Sequence, residues 1–195
     1  MKKILIVSLA SIALMCASCS ILSDVASQVQ GLANLANCEF NLKNVNNLSV
    51  AGVNVKDITN GNISAMDVVK LTTAMVSKKV PLNMDVNVNV KNPTDKNAVL
   101  SAMDWALDIQ KSQYATGTLN KRYNIVANKT SIVPLNVGTD LYSLFSKKGA
   151  EDLKKFASSF SSNGLSSDLD LRIKPSLEVA GQTIKYPNFI NITKK

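Results

Sequence analysis

The residues of this chain that could do chemistry are three cysteines, two closely spaced carboxylate pairs and several lysine pairs; histidine is absent. Without an imidazole there is no Ser-His-Asp or Cys-His nucleophile, no imidazole general base and no His-bound metal. The pairs Asp104/Asp108 and Asp168/Asp170 sit four and two residues apart, which puts both members of each on one face of a strand. Such a face could hold a divalent cation. Calcium, however, wants about six to eight oxygens, and neither pair is accompanied by an Asp-rich loop with a fixed glycine. Solvated outer strand faces are the preferred reading. No acid pair stands in a glycosidase setting, and no Gly-x-Ser-x-Gly elbow or glycine-rich phosphate loop occurs. The expectation is a protein that is not an enzyme and holds no metal. The basic residues fall as Lys78-Lys79, Lys121-Arg122, Lys147-Lys148, Lys154-Lys155 and Lys194-Lys195. With two arginines and no aromatic interleaving, they do not predict nucleic-acid binding. A net charge of +8 draws a surface weakly toward anionic lipid, although solubility is the simpler use.

Two of the three cysteines end an apolar leader. Lys2 and Lys3 precede the run Ile4 to Ala17, apolar except for Ser8 and Ser11. That run is shorter than the roughly 20 residues a spanning helix needs and has the size of a secretory h-region. It closes in Met15-Cys16-Ala17-Ser18-Cys19-Ser20, where small residues directly before a cysteine resemble a bacterial lipobox. The resemblance implies cleavage before Cys19 and acylation of Cys19, the covalent lipid being the only prosthetic group expected. Cys16 stands where that pattern usually has leucine. Two or three acyl chains hold a protein stably at a bilayer, whereas one does so only marginally. Ser20, rather than an aspartate, after the cysteine resembles outer-membrane sorting. The expected place is therefore the outer membrane of a Gram-negative bacterium, facing the periplasm, with the membrane as partner through the lipid anchor. A lipid or protein partner in the envelope is left open, as is the oligomeric state. Cys38 is then the last thiol, which excludes an intramolecular disulfide; a small buried hydrophobe at a strand start is the expected role.

The elements that must follow this anchor can be read from periodicity. Leu22, Val25, Val29, Leu32 and Ala36 recur at intervals of three and four, a narrow helical stripe suited to packing. From Cys38 the period becomes two: Phe40, Leu42 and Val45 alternate with polar residues, and Val50-Ala51-Gly52-Val53 reads as a tight hairpin. Ile63 to Val76 predicts a helix capped by Ser64, with Met66, Val69, Lys70, Thr73 and Val76 on one stripe. Met84 to Lys91 alternates without error, placing Met84, Val86, Val88 and Val90 on one face until Asn92-Pro93 stops the strand. The next strand is expected to point Val99, Met103, Trp105, Leu107 and Ile109 inward, with Asp104, Asp108 and Gln110 outward. Further strands are expected near Thr118–Ala127 and Ser131–Val137. A helical interruption over about 140–161 follows, started by Thr139 or Asp140. Two last strands, Asp168–Val179 and Gln182–Thr193, join through Ala180-Gly181. Short alternating strands with short turns predict a mainly β fold: an antiparallel, immunoglobulin- or fibronectin-III-like β-sandwich with two or three peripheral helices. The chain divides into a lipoprotein signal peptide (1–18), a lipidated N-terminus with a partly helical spacer (19–37) and a sandwich domain (38–195).

Within that domain, the alternating strand ending in Asn92-Pro93 is followed in order by Leu107 and Ile109, Tyr114-Ala115-Thr116-Gly117-Thr118-Leu119, and Val133-Pro134-Leu135-Asn136-Val137. This ordered set resembles the late embryogenesis abundant group-two domain, also called the water-stress and hypersensitive-response domain. The resemblance covers roughly 40–138. In that family an Asn-Pro turn ends a V-x-V-x-V-x-N-P strand and a G-x-L element begins the third strand. It implies a β-sandwich of stress-protection type and supplies no catalytic residues. The helix near Ile63–Val76 and the helical segment after Asp140 depart from it. Two readings of function result: a non-enzymatic, membrane-anchored envelope lipoprotein, or an envelope module binding a lipid or other apolar ligand. In the second, Leu144, Phe145, Phe156 and Phe160 are lid candidates, and a cavity above roughly 300 Å³ lined by Leu, Val, Phe and Met is required.

Overall fold

Alternation of apolar and polar residues produces two antiparallel sheets whose apolar faces meet. In the computed structural model, residues 30–31, 33–109, 111–146, 169–179 and 181–193 are described. The first sheet contains β1 (Glu39–Val50), β2 (Val53–Asn54), β3 (Pro81–Lys91) and β8 (Thr130–Asp140), in the order β2-β1-β3-β8. Its centre is β3, whose Leu82, Met84, Val86, Val88 and Val90 are all buried. Across from them on β8, Val137, Leu135 and Val133 face Met84, Val86 and Val88 in register. On the other side Phe40 and Leu42 of β1 oppose Val90 and Val88. A bulge between Leu42 and Asn44 then brings Val45 opposite Val86. The extra residue is what returns an odd-numbered side chain to the face of two even-numbered ones. The β1–β2 hairpin closes through Ala51 (φ 52°) and Gly52 (φ 74°). Two successive left-handed residues give the turn whose twist matches its strands. Only the second of them is a glycine, which adopts that conformation freely.

The second sheet contains β5 (Ala102–Ile109), β6 (Ser112–Leu119), β9 (Leu169–Val179), β10 (Gln182–Lys185) and β11 (Ile190–Asn191). It runs β10-β9-β5-β6, with β11 also on β9. Trp105 lies opposite Ile173, Leu107 opposite Leu171 and Ile109 opposite Leu169. These side chains and the inner residues of the first sheet form one core cluster. A short pair, β4 (Ala98–Leu100) with β7 (Tyr123–Ile125), adds Ala98, Leu100 and Ile125 to it. The chain is thus a mainly β antiparallel sandwich with short helices at its edges, as the strand spacing predicts.

Several details differ from the sequence expectation, the first being that the stretch expected as one strand over Gln182–Thr193 is two short ones, β10 (Gln182–Lys185) and β11 (Ile190–Asn191). The backbone breaks between β4 and β5 at Ser101, so Ala98 and Leu100 are buried while Val99 is half-buried. The stretch expected as one strand over Thr118–Ala127 is interrupted at 120–122, and Gly117-Thr118-Leu119 ends β6 rather than beginning a strand. Asp108 is not solvated but buried. Finally, the Ala65–Val76 helix has the predicted cap: Ser64 Oγ accepts from the Asp67 amide, and Asp67 accepts from the Ser64 amide in return. The stripe picked out by spacing, however, faces solvent. Leu71, Ala74 and Met75 face the core, whereas Met66 is 64% exposed, Val69 57% and Val76 78%. Both stripes obey helical spacing, and Ala74 is the helix residue that ends up buried. Before the Tyr142–Phe145 helix, Asp140 Oδ1 accepts from the Tyr142 and Val80 amides, but the cap position is Leu141, without a side-chain cap, and not the expected Thr139 or Asp140.

Candidate functional site

The outward face of the second sheet carries a network of charged side chains. β5 presents Asp104 and Asp108, β9 presents Asp170, Arg172 and Lys174, and the flanking strands add Thr118, Gln113 and Lys185. Asp108 lies directly opposite Asp170 across the β5–β9 ladder. Arg172 settles what would otherwise be a repulsive pair. Its Nε donates to one Asp108 carboxylate oxygen, and its Nη2 donates to the other at 2.7 Å and to Gln113 Oε1 at 3.2 Å. This forked geometry is the one guanidinium makes with carboxylates. The hydrogen bond from Arg172 to Asp108 holds the guanidinium above its ordinary pKa, against the opposing effect of burial. Asp170 accepts from Asn191 Nδ2 and Thr193 Oγ1 on the closing segment.

Asp104 is arranged differently. Partial burial raises its pKa, but Lys185 Nζ at 2.6 Å and Thr118 Oγ1 at 2.8 Å donate to it. Together with the charges of Lys185 and Lys174 they win, and Asp104 titrates below the usual carboxylate range. Phe189 closes this face, with the Arg172 guanidinium 5.1 Å and the Lys174 ammonium 5.7 Å from its ring centroid; cations sit favourably over aromatic faces. The acids of this face therefore serve as ladder pins. Among the described residues no three acid or cysteine side chains converge in a way that would hold a metal ion.

A second cluster fixes the entry of the chain. Leu35 is fully buried, and the Tyr186 hydroxyl donates to its carbonyl at 2.7 Å. Asn34 Nδ2 donates to the Asn97 carbonyl, and the Cys38 thiol donates to the Asn34 carbonyl. Burial pushes the Cys38 thiol up to about 11. Tyr186 is raised to about 12 by burial first and by Cys38 second. A thiol so shifted is protonated and inert at neutral pH, in keeping with the buried hydrophobe expected there. Beside this cluster, Asn92 is buried at the end of β3. It donates to the carbonyls of Lys96 and Ile125 and accepts from the amide and hydroxyl of Thr94. The Asn-Pro element is thus a corner whose side chain replaces backbone hydrogen bonds that the proline stop leaves unmade.

Cys19, Phe156 and Phe160 lie outside the described residues, as do Asp168 and the 1–18 leader. Phe145 is a core residue, and Leu144 is half-buried against it. A shallow groove of about 380 Å³ runs beside the Ala65–Val76 helix, lined by Ala51, Val69, Lys70, Thr73, Ala74, Ser77, Lys79 and Pro81. Its walls are small, polar or basic rather than large and apolar. The exposed apolar arc of that helix is the surface the sequence reading missed. The signal was present, since Met66, Val69 and Val76 were singled out, but periodicity does not say which of two stripes turns inward. No helix among the described residues is long and apolar enough to cross a membrane.

Neither a family model nor a curated protein sequence matches this chain. Solved structures give distant likenesses. A protein from Archaeoglobus fulgidus is 12% identical with a TM-score of 0.35, covering 59% of this chain and 86% of its own. A structural-genomics target is 6% identical with a TM-score of 0.41, covering 82% of this chain and 89% of its own. The solution structure of a protein described as late embryogenesis abundant is 13% identical with a TM-score of 0.39, covering 95% of this chain and 88% of its own. The fold stands on the strand order and register given above, not on these likenesses.

Proposed function

We propose that this protein is a non-enzymatic envelope lipoprotein: a stress-protection-type β-sandwich held at the membrane by acyl chains on Cys19. The observation that carries the reading is the junction Ala17-Ser18-Cys19 at the end of an apolar leader of secretory length. The domain that follows is in keeping with it. The acids on the outward face of its second sheet bridge strands of that sheet, and its described buried polar side chains all have hydrogen-bond partners. The ordered strand and Asn92-Pro93 motifs supply the stress-protection part. On this reading the outer membrane is the site and the periplasm the compartment. Of the Leu, Val, Phe and Met lining that an apolar ligand would need, the shallow groove of about 380 Å³ has Val69 alone, so it gives the binding-module reading little support. The test is a deletion strain dried or osmotically shocked beside its parent. Survival should fall and be restored by the wild-type chain but not by Val88→Asp, whose charge would be buried without a partner. Equal survival of deletion and parent would remove the stress-protection part.

A further inference from the structure

The Ala65–Val76 helix faces solvent with residues that ordinarily face protein. Seen down its axis, Ala65, Met66, Val68, Val69, Thr72, Thr73 and Val76 occupy one continuous arc, all exposed, with no charged residue among them. Met66, Val68, Val69 and Val76 are four of the large apolar residues most exposed among those described. Singly exposed apolar residues need no explanation, but four on one helix face mark an interaction surface. Charge says what kind of surface it meets. The segment from Val55 to Lys79 carries Lys56, Lys70, Lys78 and Lys79 against Asp57 and Asp67. Asp67 is already paired with Lys70 at 3.0 Å. Lys70 and Lys79 also line the groove beside Val69, and Lys78 sits just past the helix end with φ 58°. A basic rim around an apolar arc is complementary to anionic headgroups over acyl chains. A second copy would bring one lysine rim against another across a two-fold axis, which disfavours self-pairing.

We propose that this helix docks on an anionic lipid surface, its apolar arc entering the headgroup–acyl boundary and its lysines contacting phosphates. The proposal does not depend on acylation of Cys19, and the test keeps the two apart. The chain 20–195, which retains every described residue and lacks both leader and Cys19, is sedimented with vesicles of phosphatidylglycerol or of phosphatidylcholine. Binding to the anionic vesicles should be salt-sensitive and weak or absent on the zwitterionic ones. The double variant Met66→Gln/Val76→Gln should abolish it. Lys78→Gln/Lys79→Gln should weaken it roughly thirtyfold. Circular dichroism and thermal melts confirm that each variant is folded, which the exposure of these positions favours. The proposal is overturned if the chain fails to sediment with anionic vesicles, if the apolar variant sediments as well as wild type, or if the patch instead drives a dimer that Val69→Gln dissolves.

Discussion

Replacing Arg172 with alanine leaves the buried Asp108 carboxylate without its two strongest donors, while Asp170 still stands opposite it in the ladder. The expected cost is roughly 2–3 kcal/mol, read as a lower urea midpoint with an unchanged slope. Arg172→Lys should recover only part of this, because an ammonium cannot fork to both oxygens. Gly117 is the second sensitive position. It lies opposite Trp105, and a methyl there would come 2.4 Å from the indole ring. Gly117→Ala should therefore cost about 2 kcal/mol or more by displacing the Trp105 ring, visible as altered tryptophan emission. The ionisable groups at the chain entry give a pH dependence. Cys38 and Tyr186 titrate higher in the fold than when free, so the fold favours their protonated forms. The stability this contributes is complete below their ordinary values of 9.0 and 10.0 and is lost as pH rises toward about 11 and 12. Thermal melts should thus fall steeply over that alkaline range, and Cys38→Ala/Tyr186→Phe should flatten the slope. For Asp104 the sign is opposite: its pKa is lowered, so its contribution is present at neutral pH and lost on acidification.

At the scale of elements, β3 is the segment most legible from sequence. Its uninterrupted alternation permits a single register, and Val86 and Val88 could face nowhere but the core. Asn89→Val on the outward face should change stability by under about 1 kcal/mol, whereas Val88→Asp should prevent folding. Similar melting temperatures for the two would mean that the register is wrong. The hairpin was equally readable, because Ala51-Gly52 between two valines leaves few geometries. Ala51 holds a left-handed conformation that costs a side-chain-bearing residue about 1 kcal/mol. Ala51→Asn should recover part of that and raise the melting temperature. Orientation was less legible. The Ala65–Val76 helix offered two stripes of equal periodicity, and only the position of the sheet end selects between them. Nor could the fate of Asp108 be read, since its partner Arg172 is 64 residues away and reaches it only through sheet pairing. Composition excluded histidine chemistry outright, but it could not show that the acids would be occupied as strand pins.

On the scale of the whole molecule, the sandwich has two distinct ends. Residues 33–36 dock beside Asn97, at the end of β3 that finishes in Lys91, while the exposed helix sits beside Pro81 at the other. The eleven residues of β3 span about 36 Å. The proposed anchor depends on the chemistry of the amino terminus, and that chemistry can be read directly. The decisive measurement is mass spectrometry of the amino-terminal peptide from membranes of the native host, with a Cys19→Ser strain fractionated in parallel. The account predicts a peptide beginning at Cys19, heavier by its acyl chains, and release of the serine variant from the membrane fraction. An unmodified amino terminus at any position, or a serine variant that stays membrane-bound as firmly as the parent, would contradict it.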